Sequence, residues 1–400
     1  MNNVNLYAGA MLASLIASLS HAEFLGYVGV QARAFPSTAV DPAQGSETLS
    51  GVLAPEWYQQ WNDGDDSFNI KAFYRYDSQD DERSHADLRE FYWQHVGNSW
   101  ELTVGVNTIF WGVTESQHLV DIINQTDFIE APDGEDKLGQ PMIHYASIQD
   151  WGVVDVFVLP TFREREFAGK EGRLRSIPIT LNDAEQYQSD KKEEHIDYAL
   201  RWSHYLGDWN VGLSWFNGTS REPLSLPRAT AAGTALIPYY ALIEQSGIDA
   251  QYVSGDWLWK LEAIYRRSIG HSLADNYAAS TAGFEYTLTG INSLFWDLGL
   301  LLEYSYDSRP RLNASPFQND IFVGGRLSLN DIASSEILFG YSQDVDDQDS
   351  RSAFMEASTR IGDSTRVTAE LYHFHSDDSL DPIYSLRRDS YVEIGLEYYY

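Results

Sequence analysis

The sequence predicts an all-β protein, a transmembrane antiparallel up-and-down β-barrel of about 16–18 strands, with 18 the best count. Three observations carry this. Apolar and polar residues alternate with period two in segment after segment. The connections between segments alternate between tight and long. Aromatic residues gather at the segment ends. Beyond Leu19 no uncharged apolar run approaches the roughly 20 residues of a membrane-spanning helix, so a bilayer is crossed by strands.

The first element in the chain is a leader. Leu6 to Leu19 are uncharged and mostly apolar, and Ser20 and Ala22 flank His21 in the small-residue pattern of a cleavage site before Glu23. Residues 1–22 are expected to be a signal peptide, although the first five carry no Lys or Arg, and 23–400 a single barrel domain.

Strands are expected near 24–34, 49–61, 67–77, 86–96, 99–111, 142–149, 151–160, 195–205 and 208–217. A second set follows near 246–254, 256–267, 277–289, 294–306, 319–329, 335–343, 352–361, 365–375 and 389–400. The stretch "LFWDLGLLLEYSYD" shows the pattern. Leu298, Leu300, Leu302, Tyr304 and Tyr306 share one face, and Asp297, Gly299, Leu301, Glu303 and Ser305 share the other. Without 142–149 and 246–254, the shortest patterns, the count falls to sixteen. Tight corners such as "NDGDD" (62–66), "GN" (97–98) and "GDS" (362–364) alternate with long polar links, including 112–141, 161–194 and 218–245. A propeller would instead repeat every 40–50 residues or so, and no such repeat is found.

The final stretch, "SYVEIGLEYYY", places Val392, Ile394, Leu396, Tyr398 and Tyr400 on one side. An unpaired apolar edge recruits other chains, so this strand is expected to close the barrel against "FLGYVGVQARA". The chain has no cysteine and a net charge of −32, which excludes binding to nucleic acid.

"LREFYW" (88–93), "ELTVGVNTIFWG" (101–112) and "VDIINQTD" (120–127) resemble a porin-like family of proteobacterial outer-membrane barrels, whose members carry L-R-E-x-Y, G-R-x-x-x-x-W-G and D-x-x-N-P-x-D. Leu88, Arg89, Glu90, Tyr92, Gly105, Trp111, Gly112, Asp121, Asn124 and Asp127 match; Val106 and Gln125 stand where the family has Arg and Pro. The resemblance covers roughly forty residues and implies a place in the outer membrane, with short periplasmic turns and long extracellular loops. Outer-membrane lipid, lipopolysaccharide, the barrel assembly machinery and a small-molecule solute are the partners expected. Val392, Ile394, Leu396, Tyr398 and Tyr400 also resemble the C-terminal assembly signal of such proteins.

The resemblance further implies that the third long loop, 112–141, folds into the lumen. Its residues agree: Thr114 can cap a short helix with Leu119, Ile122 and Ile123 on an apolar stripe that needs the barrel wall for cover. Glu115, Asp121, Asn124 and Asp127 are then the candidate constriction. On the wall, the polar faces offer Lys71, Arg75, Arg201, Lys260, Glu262, Arg266, Arg326, Arg366 and Glu370. Rings of charge set the ion preference of a pore, and the acid excess favours cations. The uncharged "ATAAGTALIPYYALI" (229–243) is expected to pack in the barrel mouth. The acidic runs 77–82, 133–136 and 344–349 are expected to be solvated surface. His271, Ser272 and Asn276, and His373 and His375 beside Asp377 and Asp378, lack a supporting catalytic motif. A channel for passive, weakly selective diffusion, with no cofactor and no metal, is therefore expected ahead of a loop-plugged surface or structural barrel. A hydrolase at the rim comes last.

Overall fold

The computed structural model describes residues 22–231, 233–291, 295–310 and 315–400. The expected signal peptide lies outside the described residues except for Ala22.

Seven strands open the chain: β1 (Ala22–Ala34), β2 (Glu47–Trp61), β3 (Asp66–Asp77), β4 (Ala86–Val96), β5 (Trp100–Asn107), β6 (Gln140–Gln149) and β7 (Gly152–Leu159). After β8 (Gln186–Tyr187) come β9 (Asp197–Leu206), β10 (Trp209–Thr219), β11 (Leu224–Thr230), β12 (Gly233–Tyr240), β13 (Leu242–Ser254) and β14 (Trp257–Ser268). The chain finishes with β15 (Tyr277–Ile291), β16 (Trp296–Asp307), β17 (Asn319–Ser328), β18 (Glu336–Asp344), β19 (Arg351–Ile361), β20 (Thr365–His375) and β21 (Tyr391–Tyr399). Eighteen of these make one antiparallel sheet in which each strand pairs with its neighbour in the chain order; β8, β11 and β12 form a separate small sheet in the long loops.

The sheet closes. β1 pairs with β2 on one side and with β21 on the other, in register from Tyr27↔Tyr399 to Ala34↔Val392. Inside a bilayer every backbone N–H and C=O needs a protein partner, and closure is what leaves no open edge. The 142–149 and 246–254 patterns both form barrel strands, as β6 and β13, which settles the count at eighteen.

Alternation sorts side chains as expected. On β16 Leu300, Leu302, Tyr304 and Tyr306 face outward, while Leu301, Glu303 and Ser305 are buried inside. On β21 Val392, Ile394, Leu396 and Tyr398 are exposed on the outer face and Glu393 is buried. The outer band is apolar, as a lipid-facing surface must be. The interior is largely polar, apart from one apolar cluster against the inner wall of β6 to β15 and a second around Phe35, Tyr372, Phe374 and Tyr391. Strand β5 stops at Asn107 rather than running on to 111. The Asn107 side chain accepts from Thr108 N at 2.9 Å, and its carbonyl accepts from the Asn124 amide at 2.9 Å, so the chain turns inward there.

Candidate functional site: the loop inside the lumen

The segment between β5 and β6 crosses the interior, and the strand that prepares its seat is β4. Lys71 lies opposite Glu90 but Ala72 lies opposite Leu88, so Arg89 is an extra residue, a β-bulge. Leu88 (37% exposed) and Phe91 (43% exposed) face out three positions apart. Arg89 and Glu90 are thereby both turned into the lumen. Arg89 donates to Asp127 at 2.6 Å and to the Lys137 carbonyl; Glu90 pairs with Lys71 at 3.1 Å. Gly105, on β5, sits at φ +141° with its α-carbon pressed to β4, where a Cβ would lie 2.2 Å from the Phe91 carbonyl oxygen. Only glycine fits.

Two sets of contacts then hold the loop. On the near side Asp127 takes Arg89 and, at 3.3 Å, His85, while Arg75 reaches Glu130 at 2.8 and 2.9 Å. Burial alone would raise the Asp127 carboxyl, but the hydrogen bonds and charges of His85 and Arg89 outweigh it and hold it below the usual carboxylate range. Asn124 accepts from Ile109 N at 2.9 Å and donates to the Leu138 carbonyl at 2.8 Å, tying the loop's two limbs together.

On the far side two wall carboxylates receive backbone amides. Glu262, fully covered, accepts from Val113 N at 2.6 Å, Thr114 N at 3.0 Å and Val120 N at 3.1 Å. Glu303, 1% exposed, accepts from Glu115 N at 2.9 Å and Ser116 N at 2.8 Å. Val120, Ile122 and Ile123 are buried in one cluster with Phe157, Phe216 and Ile264 of the wall. Each such side chain contributes about 1.5–3 kcal/mol when removed from water.

The apolar stripe therefore packs on the wall, but the helix expected from Thr114 is absent: 112–123 contains no helical residue. The reason is competition for donors. The amides of residues 113 to 116 and 120 are bonded to Glu262 and Glu303. Thr114 does not cap a helix, its hydroxyl lying instead against Glu262 and the Gln117 carbonyl.

The four candidate constriction residues separate. Glu115 reaches the open lumen and faces Arg326 at 3.1 Å and Lys260 at 4.0 Å. Asp121, paired with Lys137 at 3.0 Å, is buried in the loop, as are Asn124 and Asp127. The other loop carboxylates that border open space are Asp133, Glu135 and Asp136, from the acidic run 133–136 that the sequence placed on the outer surface and not in the constriction. His118 bonds Glu135 at 2.6 Å and lowers its pKa. Asp136 borders open space, but its enclosure within the barrel, with Glu130, Asp133 and Asp127 nearby, pushes it up to about 7.

Most of the wall charges are paired. Arg201 holds Asp249 at 2.7 and 2.8 Å, Lys260 lies 3.4 Å from Glu285, Arg266 meets Glu222 at 3.0 Å, and Arg366 is 3.9 Å from Glu336. Glu370 stands directly between Glu356 and Glu393 on the adjoining strands, with no hydrogen-bond or ion-pair partner among the described residues.

The outer loops are knitted rather than loose. In the run 77–82, Asp77 accepts from Thr48 and Ser50 and pairs with Arg83, and Asp80 accepts from Gly169 N. Asp344 accepts the amides of Asp346 and Asp347. These runs are loop scaffolds as well as surface charge. The uncharged 229–243 segment spans a hairpin, its outer end exposed and its Tyr239, Tyr240, Ala241 and Ile243 end buried in the mouth. Ser272 and Asn276 are turned to local backbone groups, at Ala274 N and Ser268 N. Ligand atoms of Asp349, His375 and Asp377 converge at the rim, and those of His85, Asp127 and Glu130 converge inside; the latter set is already saturated by Arg75 and Arg89.

Two cavities flank the loop. One of about 440 Å³ is bordered by Lys71, Phe73, Arg89 and Asp136; the other, of about 510 Å³, by Glu115, Asp133, Arg326 and Glu356. Phe110 and Glu135 border both.

No family model and no curated protein matches the chain. Solved structures similar to it include a mutant of the Rhodopseudomonas blastica porin, 12% identical, with 95% of this chain and 100% of that one covered and a TM-score of 0.46. Another is the trimer form of OmpT, an outer-membrane protein of Vibrio cholerae, 10% identical, with 95% and 99% covered and a TM-score of 0.48.

Proposed function

We propose that the chain is an outer-membrane channel for passive diffusion of small solutes, with a preference for cations. One observation carries this reading: the inserted loop narrows the barrel without filling it, since open space lies on both of its sides, with Phe110 and Glu135 lining each. The loop borders that space with Glu115, Asp133, Glu135 and Asp136, and of the nearby cations Arg326 is already opposed by Glu115. A fixed charge in a confined, poorly screened passage weighs more than one on an outer loop. Export through a cleaved leader, insertion by the barrel assembly machinery and contact with lipopolysaccharide complete the reading.

The competing reading is a loop-plugged structural barrel. It is favoured by the bonds that knit the outer loops across the mouth, Arg173 to Asp389 at 2.7 Å and Arg175 to Asp41 at 3.0 Å. Planar-bilayer recording of the purified protein separates the two. Discrete KCl conductance with a cation-selective reversal potential supports the channel; a silent, correctly inserted barrel overturns it.

A further inference from the structure

On the inner wall of β17 to β21 the alternation places aromatic rings where most strands carry polar groups. Phe354, Tyr372 and Tyr391 lie opposite one another on β19, β20 and β21. Their rings stack in sequence, with centroids 5.8 and 5.1 Å apart and planes within 21° and 16°. Phe322 on β17 joins the row by leaning over β18 to Phe354, 6.2 Å away and 15° from parallel. Gly340 makes the crossing possible, because a Cβ there would lie 2.5 Å from both rings.

A second row runs beside the first. Glu356, Glu370 and Glu393 face one another on the same three strands, each two residues along from a ring, a step of about 7 Å. Each strand thus presents one ring and one carboxylate side by side.

The chain itself shows what such a pair takes. At the β21 end the Arg33 guanidinium lies 4.4 Å above the Tyr391 ring and bonds Glu393 at 2.6 Å. The same ring-and-carboxylate pair recurs on β20 and β19, where no Lys or Arg of the described residues lies within ion-pair distance of Glu370 or Glu356. Glu356 meets only the Tyr372 hydroxyl. Phe322, Phe354, Tyr372 and Glu356 border the 510 Å³ cavity, and Asp133 and Glu135 border it from the loop.

We propose that the cavity beside this wall binds a small organic cation with a flat apolar body, its ring against Phe354 and Tyr372 and its charge toward Glu356. The aromatic lining gives the flat body an apolar wall, and Glu356, with no cationic partner among the described residues, gives the charge a reason to stay. The cavity matches a compact ligand of this class. The assignment deepens the channel reading and rests on it for access through the lumen.

The test uses the full chain and benzamidinium chloride, with benzamide and benzoate as near-isosteric neutral and anionic controls. Calorimetric titration of the detergent-solubilised protein is run beside block of the KCl current in bilayers. Benzamidinium is expected to bind and to block at least tenfold more tightly than benzamide, and benzoate to do neither. Phe354→Leu, which keeps apolar volume, and Glu356→Gln are each expected to weaken binding roughly 2- to 30-fold, the contribution of a cation over a ring or of its counter-charge. Equal binding of benzamide, or wild-type affinity in both variants, overturns the site. Conductance without block or heat overturns the site and leaves the channel standing. Heat without any conductance does the reverse.

Discussion

The sharpest quantitative consequence of the inserted loop concerns Glu262. Its Oε1 receives Val113 N and Thr114 N, and its Oε2 receives Val120 N. Glu262→Gln keeps the shape and turns one acceptor into a donor. Whichever way the amide sits, its NH2 group confronts at least one backbone N–H, and the remaining bonds lose their charge. A hydrogen bond to a charged group contributes ~1.5–3 kcal/mol, and a buried donor left unpaired costs ~1–3 kcal/mol. Water that enters as the loop shifts recovers part of this, so ~2–3 kcal/mol is the expected loss in the free energy of local loop opening. At about 1.4 kcal/mol per tenfold, amides of 112–123 should exchange roughly 30- to 150-fold faster. Hydrogen-exchange mass spectrometry on that peptide reads the change, with β6 and β7 peptides as unchanged controls. Wild-type exchange in 112–123 would refute the reasoning and leave Glu303 and the packing of Val120, Ile122 and Ile123 as the far-side anchors.

Other expectations follow from the same contacts. Arg89→Met leaves Asp127 buried without its closest cation, a loss of about 3–5 kcal/mol in loop docking before His85 compensates, seen as faster proteolysis within 126–137. Glu115→Gln uncovers Arg326 and should move the KCl reversal potential toward anions by more than neutralising Asp346 and Asp349 in the outer loop, where salt screens over about 8–10 Å. Asp136, raised to about 7, is charged at pH 8 and mostly neutral at pH 6, so cation preference should fall over that interval and Asp136→Asn should flatten it. The stability sign is opposite to that of a salt-bridged carboxylate, because a raised pKa favours the folded loop at low pH and the benefit is lost as pH rises through 7. Tyr400→Asp, at a ring 5.5 Å from that of Phe24, should lower the amount of assembled barrel while leaving the conductance of inserted molecules unchanged, as surface quantification and single-channel recording show.

The barrel was legible because strand facing is a local property. Leu300 and Leu302 declare their side by their neighbours, and tight corners such as Gly207 declare the hairpins. The loop's direction was legible too, since an apolar stripe at 119–123 needs cover. Its backbone was not: the acceptors that unravel the expected helix, Glu262 and Glu303, stand 142 and 187 or more residues away. The bulge at Arg89 hid for another reason. A single extra residue breaks period two, so strict alternation assigns Arg89 and Glu90 to opposite faces although both point inward. The ring row was half visible, because Tyr372 shares a face with Arg366, Thr368 and Glu370, an odd company for an aromatic. Which strands would align those rings depends on register, which lies beyond any one segment.

The anchoring of the loop also imposes an order on assembly. The amides of residues 113–116 bond acceptors on β14 and β16, so they have no partner until the sheet has brought that part of the wall across from them. The near-side contacts, from Arg75 and Arg89, are available from the first hairpins onward. An incomplete barrel therefore carries its loop tethered on one flank, and Glu262 and Glu303 remain hydrated until the sheet curls far enough to bring them across. Dehydrating those two carboxylates is a late event, after most long-range strand pairing, which is itself slow. A variant that weakens the far-side anchor should leave early insertion rates alone and change only the last step toward the compact, protease-resistant form.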